Sequence, residues 1–172
     1  MTAVPERFLL AKERISPEKS DYILEIGCGT GILIQELSSE LDSGAVVGID
    51  KSKPAIEKAL KKNQKAIREK KVTLINEELK KAKFPKGGFN KIVSFNVNLF
   101  LKGSEEEFNV IRKILAPGGK IFVFYQFPYE IDVTAGNPIA DNLERNGFFV
   151  TDKELISTNS TSIVFIKAMR SS

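Results

Sequence analysis

The 172-residue chain contains no histidine and only one cysteine, Cys28. Without an imidazole there is no histidine general base, no Ser-His-Asp or Cys-His catalytic arrangement and no histidine metal ligand. A lone thiol cannot complete a zinc finger or ribbon, so no metal site is expected. It also cannot form an internal disulfide, so the fold must rest on its apolar core, and a reducing, cytoplasmic setting is expected. No apolar run reaches the roughly 18 residues that mark a membrane span. Residues 1–14 carry charges throughout and lack the apolar stretch of a leader peptide.

What is present suits a globular domain. A chain of this length buries about two-thirds of its unfolded surface on folding, enough for a single domain over residues 1–172. The net charge of +4 hides an asymmetry: residues 51–91 hold 14 Lys/Arg and 4 Asp/Glu, whereas the rest of the chain is net acidic. The basicity is therefore local, which raises the question of a polyanionic partner.

Short apolar runs alternate with amphipathic helical stretches, the pattern of a parallel α/β sheet. Glu6 to Ile15 reads as a helix. Asp21 to Ile26 reads as a strand, apolar almost throughout as a central parallel strand must be. It runs into Gly27-Cys28-Gly29-Thr30-Gly31. A helix follows, with Leu33, Leu37 and Leu41 at i, i+4 and i+8. Ala45 to Ile49 is a second strand, ending at Asp50. Pro54 to about Lys70 reads as one helix with Ile56, Leu60, Asn63 and Ile67 on its inner stripe. Strands follow over 72–75 and 90–95. Ser104 and Glu107 form a capping box that opens a helix through Leu115. Pro117-Gly118-Gly119 ends that helix and leads into a strand from Lys120 to Tyr125. Asn137 and Pro138 read as the N-cap and first residue of a further helix, and Gly147 as its stop. Two strands, near 148–151 and 162–168, close the domain.

The most informative stretch is the glycine-rich turn between the first strand and its helix. Glycines supply positive φ and let a ligand approach the backbone, and the helix start adds free N–H groups. A dinucleotide fingerprint, G-x-G-x-x-G, would place a third glycine at position 32. Position 32 is Ile, and the glycine stands at 31. This register argues against a nicotinamide-dependent oxidoreductase. Glu25, two residues before the first glycine, repels a pyrophosphate but suits a ligand bearing an ammonium group. Nucleoside, ammonium and carboxylate together describe S-adenosylmethionine.

Here the chain resembles the class I S-adenosylmethionine-dependent methyltransferases. Ile23 to Gly31, ILEIGCGTG, is similar to that family's first motif at every position. Val46 to Ser52, VVGIDKS, resembles the second. The stretch Phe84-Pro85-Lys86-Gly87-Gly88-Phe89-Asn90 resembles the approach to strand four, and Ile114 to Phe124, ILAPGGKIFVF, the turn into strand five. The resemblance implies a doubly wound, mostly parallel seven-stranded sheet with one antiparallel strand and helices on both faces.

It also implies S-adenosylmethionine as cofactor. The contacts would come from Glu25, Gly27, Cys28, Gly29 and Gly31, from Asp50 on the ribose with Lys51 beside it, and from Asn96 at the end of strand four. Where the family often has Gly-Asp-Ala to meet the adenine amino group, this chain has Asn76-Glu77-Glu78-Leu79, which leaves both Glu77 and Glu78 as candidates. Phe89-Asn90 likewise replaces a frequent Phe-Asp.

Several residues carry a plainer reading beside the functional one. Cys28 packs passively against the cofactor loop, since no basic partner would activate it. Asn96 either contacts the methyl acceptor or satisfies local loop backbone. Phe127 and Tyr129, in Tyr125-Gln126-Phe127-Pro128-Tyr129, wall the acceptor pocket or simply pack. No catalytic residue is identified. Asn96 and Tyr129 are the candidates for assisting the transfer, with Glu130 as an acidic alternative. The expected acceptor is a small molecule. Nucleic acid or protein acceptors, a homodimer, and a scaffold that binds the cofactor without chemistry stay open.

Overall fold

The computed structural model describes residues 3–127, 129–158 and 161–170. Its strands are β1 (Tyr22–Ile26), β2 (Ala45–Asp50), β3 (Val72–Asn76), β4 (Phe89–Phe95), β5 (Leu115–Gln126), β6 (Phe148–Ser157) and β7 (Ser162–Arg170). They form one seven-stranded sheet in the order β3-β2-β1-β4-β5-β7-β6. The pairs β1–β2, β2–β3 and β4–β5 are parallel, and β7 runs antiparallel to both β5 and β6. One reversed strand in a mostly parallel sheet is the arrangement that the family resemblance implies. The chain divides into two compact units, residues 1–82 and 83–172.

In the first unit, α1 (Glu6–Ile15) coincides with its expected span. Its Lys12 ammonium meets Glu36 and Glu40, each at 3.1 Å. Helix α2 (Ile32–Ser38) buries Leu33, Ile34 and Leu37, and Leu41 continues the same apolar row beyond its end. β1 beyond Tyr22 is buried and β2 is buried or half-buried, because parallel strands inside a sheet are covered on both faces.

The single helix expected over 54–70 is two, α3 (Lys53–Lys62) and α4 (Gln64–Arg68), which meet at Asn63. The inner face also differs. Ile56, Ala59 and Asn63 are buried, while Leu60 is 42% exposed. The cause is local. Small Ala59 lets α3 approach the glycine loop closely. The Asn63 amide then turns inward and donates to the carbonyl of Ala59 at 3.0 Å. That carbonyl already accepts the Asn63 backbone N–H, and side-chain competition of this kind disturbs a helix.

In the second unit, α6 (Glu105–Ile114) opens on the capping box of Ser104 and Glu107 in full. A short α5 (Leu99–Lys102) and a 3-10 turn (Val133–Gly136) precede it and α7 (Asn137–Arg145), respectively. Neither was anticipated. The 3-10 turn makes Gly136 the N-cap of α7, so Asn137 is the first helical residue rather than the cap. The Asn137 side-chain oxygen accepts from the Lys153 ammonium instead. Gly147, at φ 81°, is the stop.

Pro117-Gly118-Gly119 is not a loop ahead of β5. It forms an irregularity within the β4–β5 ladder, between the Phe89–Leu115 and Lys91–Lys120 pairs. The closing hairpin is longer than its apolar pattern indicates. Mutual pairing of β6 and β7 carries the strands into polar ends. Phe122 and Phe124 of β5 both stack on Phe165 of β7, with ring centroids 6.4 and 5.0 Å apart.

Candidate functional site

β1 delivers Glu25, and the chain then turns through residues 27–31 into α2. Gly27, Gly29 and Gly31 all have positive φ, at 70°, 53° and 74°. L side chains rarely adopt this region, which accounts for the three glycines at the backbone level. The Gly27 and Cys28 N–H groups donate to the Ile49 carbonyl at 2.8 and 3.1 Å, pinning the loop to β2.

Gly29 and Gly31 have different surroundings. A Cβ on Gly31 would lie 2.6 Å from Asn63 Nδ2 and 2.9 Å from Ala59 Cβ, so Gly31 is required by packing on α3. A Cβ on Gly29 would meet nothing within 4 Å. Gly29 therefore faces open space, and its missing side chain leaves room for a ligand.

Asp50, at the end of β2, holds this loop. Its Oδ2 accepts from the Gly29 N–H at 2.9 Å, and its Oδ1 from the Ser52 N–H at 2.8 Å. Asn76 Nδ2 donates to the Asp50 carbonyl at 2.9 Å, drawing in the end of β3. Lys51 is exposed. Glu77 Oε1 accepts the Glu78 N–H at 2.9 Å. The Glu78 carboxylate instead bonds Lys81 Nζ at 2.8 Å, which lowers its pKa.

Cys28 is buried beneath the loop, with Sγ 2.9 Å from where a Cβ on Gly48 would stand. Burial first, then the negative charges of Glu25 and Asp50, push its thiol far up. A protonated, enclosed thiol is neither nucleophile nor ligand.

Glu25 is the most unusual group. It is 2% exposed, and its Oε2 has no hydrogen-bond partner. Its pKa is raised well above the ordinary carboxylate value, by burial first and by the charge of Asp50 second. A bond from the Ile34 N–H partly offsets this. In the window between the unfolded and the raised folded pKa, the native state holds a proton the unfolded chain has released. Ligand-free stability therefore falls as pH rises through that window. Glu25→Gln removes the titration. Its melting temperature should exceed that of the wild type at pH 8 and converge with it near pH 4.5, as read by thermal melts at both values.

In the second unit, Asn96 sits at the end of β4 with φ 55°. Its N–H donates to the Phe124 carbonyl at 2.9 Å and its Oδ1 accepts the Gln126 N–H at 2.7 Å. The side chain thus satisfies local backbone and joins the ends of β4 and β5. Asn98 Oδ1 similarly accepts the Tyr125 hydroxyl at 2.7 Å. Tyr125, Phe127 and Tyr129 form a ring ladder with centroids 4.8 and 5.7 Å apart, and Tyr129 is 65% exposed. Glu130 is exposed, and Pro128 lies outside the described residues.

Sequence reasoning did not single out Asn63 for the site. The available signal was a polar residue on an otherwise apolar helical stripe. No cluster of acidic, cysteine or histidine residues able to hold a metal occurs among the described residues.

The fold and the loop define the class: an α/β protein of the Rossmann-like methyltransferase type. Solved structures agree. The cyclase SpnF superposes with a TM-score of 0.79 at 15% identity, over 96% of this chain and 80% of that one. A SAM-dependent methyltransferase from Aquifex aeolicus gives 0.77 at 17% identity, over 94% and 88%. Magnesium protoporphyrin IX methyltransferase from Synechocystis PCC 6803, with bound SAM, gives 0.69 at 20% identity, over 96% and 80%. Among curated proteins, no sequence matches significantly.

The profile of the methyltransferase domain family matches residues 23–119, more than half of the chain, and the chain belongs to that family. It is an S-adenosylmethionine-dependent methyltransferase, and S-adenosylmethionine is its cofactor.

Proposed function

We propose that the Glu25–Glu78 region of the first unit holds the cofactor and that the methyl acceptor is a small molecule. The observation that carries the cofactor site is the orphaned Glu25 Oε2, buried beside the glycine loop. An ammonium group placed there would satisfy the oxygen and restore the carboxylate charge that burial disfavours. The other residues fit the same ligand. Gly29 opens the space its backbone faces. A carboxylate has about four acceptor sites, so Asp50, with a backbone N–H on each oxygen, keeps capacity for two ribose hydroxyls. Glu77 is the better adenine-amino acceptor, because Glu78 is already paired with Lys81.

Bound S-adenosylmethionine supplies a methyl group already activated by its sulfonium. The chain's residues therefore need mainly to bind, orient and exclude water. Orientation of this kind contributes up to roughly 7–11 kcal/mol, which is compatible with a site that contains no histidine. Asn96 acts here as a positioning residue that fixes the Gln126 backbone. The ladder of Tyr125, Phe127 and Tyr129 offers ring faces to the acceptor, and Tyr129 remains the candidate for direct contact. We read residues 1–172 as one domain working in the cytoplasm, from the single cysteine and from the absence, among the described residues, of any helix able to cross a membrane.

Support for a small acceptor comes from the magnesium protoporphyrin IX methyltransferase among the structural neighbours. Another neighbour is named a cyclase, so the fold by itself does not fix the reaction. One observation favours a nucleic acid acceptor instead. Lys58, Lys61, Lys62, Lys65 and Arg68 are all exposed along α3 and α4, and Lys65 pairs with Glu69 at 3.9 Å. No aromatic residue lies between Lys51 and Lys83 to stack on bases, so that surface could grip only phosphates.

The test is transfer of a radiolabelled methyl group from S-adenosylmethionine into separate small-molecule, RNA and protein fractions under single-turnover conditions. Label in the small-molecule fraction is expected. Label confined to RNA or protein overturns the small-molecule reading. No transfer to any of the three fractions overturns it as well.

A further inference from the structure

We propose that Asn63 is a positioning residue for the cofactor loop, acting through the carbonyl of Gly31. The proposal rests on the cofactor site argued above and extends it to a residue that touches no ligand.

Asn63 lies at the junction of α3 and α4, and its side chain is 2% exposed. Its Nδ2 donates to two carbonyls, Gly31 at 3.1 Å and Ala59 at 3.0 Å. Two acceptors on one side fix the orientation of the amide, because the reverse orientation would set oxygen against oxygen. The Oδ1 is consequently buried without a partner. An apolar side chain at this point of the stripe would avoid that penalty altogether. The amide is therefore costly to the fold and useful only through the bonds it makes.

The bond that matters to function is the one to Gly31. Gly31 ends the loop in a left-handed conformation and caps α2 without any side-chain hydrogen bond. Its carbonyl accepts the Gln35 N–H at 3.2 Å, a long first helical bond. The Asn63 amide is the second donor to that carbonyl, and it also packs on the Gly31 Cα, where a Cβ would come within 2.6 Å. The loop is thus clamped at two points. β2 holds Gly27, Cys28 and Gly29 through the Ile49 carbonyl and the Asp50 carboxylate. Asn63 holds Gly31, reaching in from a different element. Gly29, the residue facing open space, ends the first clamp, and only Thr30 separates it from the second. Releasing either one lets the ligand-facing backbone move.

A positioning role and a merely structural one differ in how stability and affinity change together. Asn63→Leu removes the amide and the orphaned oxygen and keeps a branched side chain. Asn63→Ala removes both with less bulk. The experiment measures three things for wild type and both variants: the ligand-free melting temperature, the Kd of S-adenosylhomocysteine by calorimetry, and the amide resonances of Gly29 and Gly31 in the ligand-free protein.

The expected result is that Asn63→Leu melts at or above the wild-type temperature, while both variants bind about tenfold more weakly, the scale of one lost hydrogen bond. The Gly29 and Gly31 resonances shift in both. Wild-type affinity with unmoved loop resonances overturns the proposal, as does unfolding of both variants, which would make Asn63 purely structural. If the folded wild type itself binds no S-adenosylhomocysteine, the cofactor site is what fails and the proposal falls with it. The wild-type titration separates that failure from one confined to Asn63.

Discussion

Gly31→Ala should lower the melting temperature by about 5–15 °C, while Gly29→Ala should lower it by only a few degrees and weaken cofactor binding instead. The two glycines are two residues apart and share a left-handed backbone, at φ 74° and 53°. Holding an alanine in that region costs roughly 1–2 kcal/mol at either position. The environments then separate them. At Gly31 the added methyl meets Asn63 Nδ2 at 2.6 Å, Ala59 Cβ at 2.9 Å and the Ala59 Cα at 3.2 Å. Two of these atoms are fixed to the α3 backbone and cannot swing away. Overpacking of this kind adds about 1–3 kcal/mol, and in a chain of this size each kilocalorie shifts the melt by about 2–4 °C. At Gly29 the methyl enters open space, so only the backbone strain remains. That space is where we place the cofactor, and S-adenosylhomocysteine affinity should fall by roughly 100-fold, about 2.7 kcal/mol. Thermal melts and calorimetry on the two variants check both halves. The opposite ranking of melting temperatures would contradict the packing argument.

Asp50→Ala should reduce S-adenosylhomocysteine affinity by roughly 100-fold or more. The carboxylate accepts N–H groups from Gly29 and Ser52, and bonds to a charged acceptor contribute about 1.5–3 kcal/mol each. Losing it frees the loop at its β2 clamp and also removes the proposed ribose contact. The stability effect should be smaller than those two bonds suggest, because the Asp50 charge also disfavours ionisation of buried Glu25. Removing that charge lowers the Glu25 pKa and relieves part of its penalty. Asp50→Asn keeps one acceptor oxygen but turns an NH2 group toward a backbone donor, so it should fall between the wild type and the alanine variant. Equal affinities for all three forms would remove Asp50 from the site.

Most strands and the glycine loop were legible in the sequence because each depends on short-range pattern, whereas the arrangement of the sheet came from the resemblance to the methyltransferase family. Predominantly apolar segments of five to seven residues form β1, β2 and β4. The spacing of Gly27, Gly29 and Gly31 fixes three positive φ values. The capping box of Ser104 and Glu107 is likewise a local code and appears as read.

What the pattern could not carry was set by particular contacts, some distant in the chain and some between near neighbours. At the helix break, the Asn63 amide bonds the Ala59 carbonyl one turn back and also a carbonyl 32 residues earlier. Leu60 matches the i, i+4 row from Ile56, yet the close approach at Ala59 sets the buried face and leaves it exposed. Asn137 carries a cap signature, but the 3-10 turn before it takes the cap position. In the site, glycine spacing identified the loop without distinguishing Gly29, which faces open space, from Gly31, which packs on α3. Nor could sequence separate Glu77 from Glu78, since the distinction lies in the bond from Lys81 to Glu78.

The most direct test of the account is a calorimetric titration of S-adenosylhomocysteine into the folded wild-type protein, with NADH titrated in parallel. The account predicts saturable one-site binding of S-adenosylhomocysteine and no heat from NADH. A flat S-adenosylhomocysteine titration, or saturable binding of NADH in its place, would contradict it.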